Sequence, residues 1–175
     1  MRKLRMSELN RLSTEEFQEA PKNPIVLVLD NVRSLLNVGS VFRTSDAFRV
    51  EELHLCGLTA TPPHREMNKT ALGATESVSW RHFVETSDSL KDLKEKGYTL
   101  IAIEQTSGAI SLEQFPFEQH DKVALIFGNE VKGVSNEALA LCDFAIEIPQ
   151  FGTKHSLNIS VSAGIALWQA AQRFI

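Results

Sequence analysis

Residues 24 to 30 read PIVLVLD, and from Ile25 to Leu29 no position is polar. Successive strand side chains point to opposite faces, so such a run must be buried on both. That occurs inside a parallel sheet covered by helices on each side. The pattern recurs in YTLIAIE at 98 to 104 and KVALIFG at 122 to 128, with shorter members ELHLCG at 52 to 57, SVSWRHF at 77 to 83 and FAIEIP at 144 to 149. Helices are expected between them, at 38 to 48, at 86 to 96 with Thr86 to Asp88 as candidate caps, at 134 to 141 and at 156 to 173. TPPHREMNKTALG, 61 to 73, reads as a loop running into a short helix. Strands alternating with helices predict an α/β fold, a mainly parallel sheet flanked by helices.

A chain of 175 residues suits one core. We expect an N-terminal arm or helix over 1–23 and a single domain over 24–175. MRKLRMSELNRLSTEEF is charged and has no apolar core of a signal peptide, and no window approaches the roughly 18 apolar residues of a membrane span. The expectation is a cytoplasmic chain with no membrane partner. Cys56 and Cys142 lie far apart without Cys or His at ligand spacing, which predicts core thiols and no metal. The net charge is −4, but residues 1 to 81 hold 11 Lys and Arg against 10 Asp and Glu, and residues 82 to 175 hold 7 against 12. A general nucleic-acid coat is disfavoured; any basic face draws on the first half.

In open α/β sheets ligands collect beyond the carboxyl ends of the strands. After the first strand comes DNVRSLLNVGSVFRTSDAF, in which Asn31, Asn37 and Gly39 are turn formers and Val38, Val41, Phe42 and Ser45 begin a helical face. Arg43 falls one turn into that helix, where a cation opposes the dipole. With Asn37, Gly39 and Arg33 beside it, Arg43 reads as part of an anion site. There is no GxGxxG here.

After the fifth strand, ALIFGNEVKGVS spaces Gly128 and Gly133 like a phosphate loop, but Val134 stands where its lysine must be. Gly128 then serves either a positive φ or the close approach of a flat ligand. Glu130 neutralises a cation, holds a neighbouring loop, or is a solvated turn carboxylate. After the last strand, QFGTKHSLNIS precedes the helical run SVSAGIALWQAA. Ser156 suits an N-cap and Asn158 the first turn. Ser160, Ser162, Ala163, Gly164, Ala166 and Ala170 admit a second helix closely, while Val161, Ile165, Leu167 and Trp168 are expected to supply burial.

Taken together, N-x-G-x-x-x-R-T at 37 to 44, F-G-N-E-x-x-G at 127 to 133, and I-P followed by S-L-N-x-S at 148 to 160 resemble the three motifs of the SpoU/TrmH branch of the SPOUT RNA methyltransferases. The resemblance covers about residues 24 to 174. It implies a C-terminal deep trefoil knot, an exception to the rule that connections do not thread loops. It also implies S-adenosylmethionine as cofactor, a homodimer with the active site near its interface, and methyl transfer to a ribose 2′-hydroxyl of RNA, tRNA ahead of rRNA. By the same resemblance, Gly128, Ile148 and Leu157 hold the cofactor through backbone groups. Glu130 and Ser156 shape its pocket, and Gln105 and Thr106 close over the adenine. Arg43 is the catalytic arginine with Asn37 as motif partner, and Asn158 and Ser156 form the polar pair of the third motif. From the residues themselves, the candidates for RNA contacts are Arg33 and Arg43, then Lys154 and His155, which are either phosphate contacts or simply solvated, and Arg5 with Arg2, Lys3 and Arg11 in the arm, which is otherwise a solvated tail. Leu35 stands where the family often has Pro. Two alternatives stay open: an RNA-binding or assembly protein that keeps the fold without turnover, and, on strand pattern alone, a flavodoxin-like nucleotide binder.

Overall fold

The apolar runs form strands, and their side chains divide between two cores in strict alternation. Ile25, Leu27 and Leu29 enter one core and Val26 and Val28 the other, all at most 2% exposed. A computed structural model describes the backbone of residues 1–175 and the side chains of 1–5 and 7–175. Its elements are α1 (Thr14–Glu19), β1 (Asn23–Asp30), α2 (Leu35–Ala47), β2 (Val50–Cys56), α3 (Arg65–Ala71), α4 (Ala74–Ser77) and β3 (Trp80–Phe83). There follow α5 (Thr86–Glu95), β4 (Thr99–Ile103), β5 (Ile110–Ser111), β6 (Val123–Phe127), α6 (Asn136–Leu139), β7 (Phe144–Glu147) and α7 (Ile159–Ala171). No described helix is long and apolar enough to cross a membrane.

The strands make one seven-stranded sheet in the order β3-β2-β1-β6-β4-β7-β5, every pair parallel. Two-residue β5 was not foreseen, because no periodicity survives in so short a strand. The larger core lies between one face and α2, α3, α4 and α7, and takes in Phe17, so α1 is pinned to it. The smaller core lies under α5 and α6. Each fully buried Leu or Ile contributes about 1.5–3 kcal/mol. Late strands enter between earlier ones: β6 between β1 and β4, β7 between β4 and β5. The carboxyl ends of β1, β6, β4 and β7 therefore lie side by side.

Several local expectations are corrected. Helix α2 starts at Leu35, where the Ser34 hydroxyl accepts from the Asn37 amide at 3.3 Å. Leu35 is thus the first helical residue, the position where proline is favoured, and the loop keeps its shape without it. Arg43 becomes the ninth residue of α2, well past its N-terminus, and the dipole argument for an anion site there fails. Thr86 to Asp88 do not cap α5; Glu85 precedes it, and Thr86 instead donates to Asp30 Oδ1 at 2.6 Å. The helix expected over 134–141 shrinks to the single turn of α6. Ser156 does not cap the last helix either. Asn158 does, accepting from the Ser160 amide at 2.9 Å, and α7 begins at Ile159.

Burial on α7 is the reverse of the size-based expectation for three of its four large side chains. Ala163, Ala166, Ala170 and Leu167 are buried against the sheet and α2, whereas Val161, Ile165 and Trp168 are 48%, 38% and 51% exposed. Small side chains let α7 lie close to its own chain, and the large ones at i, i+4 and i+7 form an outward stripe.

Candidate active site

Four loops meet at the carboxyl ends of β1, β6, β4 and β7, and carboxylates at strand ends tie them together. Asp30, 1% exposed, accepts from Thr86 and, through Oδ2, from the Ser135 amide at 2.8 Å. Glu104 accepts from the Gln105 amide at 2.9 Å and the Val134 amide at 2.9 Å. Asn129 donates to the Asn31 carbonyl at 2.8 Å. Asp30 and Glu104 were not singled out in the sequence. The signal was there in PIVLVLD and YTLIAIE, each an apolar strand that ends in an acid on the ligand-bearing edge.

The segment 128–134 is held as a tight loop, with Asn129 and Gly133 exchanging backbone hydrogen bonds of 2.9 and 2.8 Å. A Cβ on Gly128 would lie 1.9 Å from the Gly133 carbonyl carbon and 2.0 Å from the Val134 nitrogen. Close approach is therefore the reason for this glycine, but the approaching group is the loop's own backbone. Gly133 is the residue at positive φ, 69°.

Glu130 holds the neighbouring loop. Its Oε1 accepts from the Ser34 amide at 3.0 Å and, more weakly, from Asn37 Nδ2 at 3.4 Å; its Oε2 accepts from the Arg33 amide at 3.2 Å. The carboxylate thus sits at the positive end of α2. Partial burial pushes its pKa up, but its own amide, those of Ser34 and Arg33 and the Asn37 side chain outweigh that and hold it below the ordinary carboxylate value. Asn37 Oδ1 in turn accepts from Asn158 Nδ2 at 3.1 Å. One chain of contacts joins the three motifs.

Beneath this chain opens a cleft of about 570 Å³, within the usual ~300–1,000 Å³ of small-molecule sites. Gln105, Gly128, Glu130, Ile148, Ser156, Leu157, Asn158 and His155 line it, as do Glu104, Glu147 and Gln150, and Gln105 Nε2 donates to the His155 carbonyl at 2.9 Å. Asn37 is bonded to two lining residues at the mouth without lining the cleft itself. Thr106 and Lys154 are outside the lining. The Arg33 side chain faces an adjacent groove with Lys132, and Arg5 lies apart beside Arg2 and Glu8.

The largest departure is Arg43. It does not line the cleft but opens on a second groove, with Arg11 and Arg49. It lies six positions after Asn37 on α2, roughly 9 Å along the axis and about 120° around it. Elsewhere, burial pushes the thiols of Cys56 and Cys142 up to about 12; Cys56 is a core thiol, whereas Cys142 is half-buried against the smaller core. Among the described residues no group of three or more His, Cys, Asp or Glu could hold a metal.

The chain matches the SpoU rRNA Methylase family over residues 24–168. It is 33% identical over 167 residues to the tRNA (guanosine(18)-2'-O)-methyltransferase of Thermus thermophilus, covering 95% of this chain and 84% of the relative. It is 34% identical over 149 residues to the 23S rRNA (guanosine-2'-O-)-methyltransferase RlmB of Neisseria meningitidis, covering 82% of this chain and 56% of that one. The AdoMet-bound rRNA methyltransferase from Sinorhizobium meliloti superposes with a TM-score of 0.82 at 24% identity, over 91% of this chain and 60% of the other, a likeness of fold. With the three motifs joined by one chain of contacts and the match running from the first strand into the last helix, this chain belongs to the SpoU rRNA methylase family.

Proposed function

We propose that this protein is an S-adenosylmethionine-dependent RNA methyltransferase that methylates a ribose 2′-hydroxyl, acting in the cytoplasm on tRNA ahead of rRNA. The observation that carries this reading is the convergence of Glu130, Asn37 and Asn158 at a cleft lined by residues of the second and third motifs. The residues fit the cofactor. Glu104, Glu130 and Glu147 line the cleft against one lysine, Lys132, which favours a cationic sulfonium, and Ile103, Ile148 and Leu157 offer apolar surface to a base. S-adenosylmethionine supplies an electrophilic methyl group, so the protein has only to place a hydroxyl in line and ease its deprotonation.

Asn37 and Asn158, bonded to each other beside the cleft, are the polar pair we assign to the incoming hydroxyl. Arg43 fixes the neighbouring phosphate and stabilises the nascent alkoxide, since a guanidinium keeps its proton at physiological pH. Arg43 does not line the cleft of its own chain, and this favours a homodimer in which a second copy supplies it. Helix α2 carries Leu36, 47% exposed, and α7, which packs on α2, exposes Val161, Ile165 and Trp168. That apolar surface is the dimer face we propose. The domain runs over 24–175 with 1–23 as its arm, and the late entry of β6 and β7 supports a C-terminal trefoil knot.

The test is to incubate the protein with radiolabelled S-adenosylmethionine and total tRNA or rRNA from cells lacking it, digest, and identify the labelled nucleoside. A 2′-O-methylated nucleoside is expected. No transfer to either RNA, with cofactor still bound, would move the weight to a binding protein without turnover.

A further inference from the structure

Arg49 follows α2 with a φ of 46°, in the left-handed region that favours glycine at the end of a helix. The turn itself needs only backbone there: the Arg49 amide donates to the Asp46 carbonyl at 3.1 Å and its carbonyl accepts from the Asn23 amide at 2.9 Å. An arginine held where glycine would be relaxed points to a use for its side chain. Among the described residues its guanidinium has no ion-pair or hydrogen-bond partner, and neither have those of Arg11 and Arg43, in contrast to Arg2 and Arg81.

These three unpaired guanidiniums line one groove of about 620 Å³, between the arm at 10–14 and the surface of α2 and α4. The groove also carries Asp46, which accepts from the Ser77 hydroxyl at 2.5 Å, and Glu76. It is net positive in a chain of net charge −4. Positive charge distributed along a groove that contains Arg43 suits a polyanion.

We propose that this groove holds the phosphodiester backbone of the substrate RNA next to the methylated nucleotide, with Arg49 and Arg11 each neutralising a phosphate beyond the one that Arg43 engages. The inference rests on the RNA methyltransferase reading. A phosphate contact adds affinity and salt dependence without reading sequence.

The test uses the full chain, with unfractionated tRNA and fragmented rRNA as separate probes. Binding is measured against salt, together with the Tm, the Kd for S-adenosylmethionine and transfer kinetics. Arg49→Gly and Arg11→Ala are each expected to weaken RNA binding about 5- to 10-fold and to reduce the salt slope by about 0.7. KM for RNA should rise more than kcat falls. Lys91→Ala, on α5 across the sheet, controls for net charge. Arg49→Gly should at the same time raise the Tm, because the strained φ is relieved. A purely structural Arg49 could not give a higher Tm with weaker RNA binding. Unchanged affinity and slope in both variants, with wild-type transfer intact, overturns the groove and leaves the methyltransferase reading standing. A wild-type chain that binds neither RNA overturns the groove too; absence of transfer with cofactor bound then counts against the reading itself.

Discussion

The Asn158 side-chain amide donates to Asn37 Oδ1 at 3.1 Å, across 121 residues of sequence. Each amide has a second task on its own side: Asn158 caps α7 through the Ser160 amide, and Asn37 donates to Glu130. The pair therefore fixes the start of α2 relative to the start of α7, and with it the mouth of the cleft.

Asn158→Asp separates these tasks. A carboxylate still caps α7 and suits the helix dipole, so the Tm should stay within a degree or two of wild type. It has no donor for Asn37, and an Asn37 amide flipped to donate to the introduced carboxylate would turn its oxygen on Glu130. Transfer should fall at least about tenfold, roughly 1.4 kcal/mol of barrier. Asn158→Ala, by contrast, should also lose about 1 kcal/mol of stability to the missing cap. Thermal denaturation and single-turnover transfer distinguish the two.

The Glu130 carboxyl has a folded-state pKa below its ordinary value, so the stability it adds is present above the unfolded value of about 4.3 and is lost as the pH falls through the folded one. Glu130→Gln should cost about 1 kcal/mol or less at neutral pH, given the exposure of the group. The difference from wild type should shrink on acidification below about pH 4. Denaturant titrations of both proteins across that range measure it, and a gap that persists at low pH would rule the linkage out.

Arg43→Ala should abolish transfer and leave S-adenosylmethionine affinity within about twofold, a loss of transition-state stabilisation without loss of ground-state binding. Mixed with the impaired Asn158→Asp chains it offers a further check. If a second copy supplies the arginine, half the dimers are mixed and each has one intact site, so about a quarter of wild-type activity should return. Ile165→Asp, placed on the exposed stripe of α7, should yield monomers in sedimentation and remove this complementation.

Gly128→Ala places a methyl group against the backbone of Gly133 and Val134, neither of which can yield without moving the loop. We expect about 1–3 kcal/mol of destabilisation, as for other overpacked sites, and loss of cofactor binding measured by calorimetry. Gly152→Ala, with open space around its Cβ, should be silent.

The α/β class, six of the seven strands and the three motif loops were legible in the chain because each rests on local pattern. A run such as PIVLVLD has no other place to bury both its faces, and turn residues after a strand mark the ligand edge. The N-cap of α7 was misplaced by two residues, since Ser156 and Asn158 are both good caps and only the path of the loop selects between them. The large side chains of α7 were assigned to the interior by their size. Which face of a helix is inside depends on how closely its neighbour approaches, and α7 is drawn in by Ala163, Ala166 and Ala170, leaving Val161, Ile165 and Trp168 outside.

What the sequence determined by itself, then, is the set of strands, the small residues that permit close packing, and the chemical groups available at each strand end. The tertiary structure decided their pairing. Glu130 meets the start of α2 because β6 enters beside β1, Asn158 meets Asn37 because α7 packs on α2, and Arg43 turns away because α2 begins three residues earlier than its pattern implied. Contacts between groups about a hundred residues apart follow from strand order and helix phase, and no local propensity encodes either.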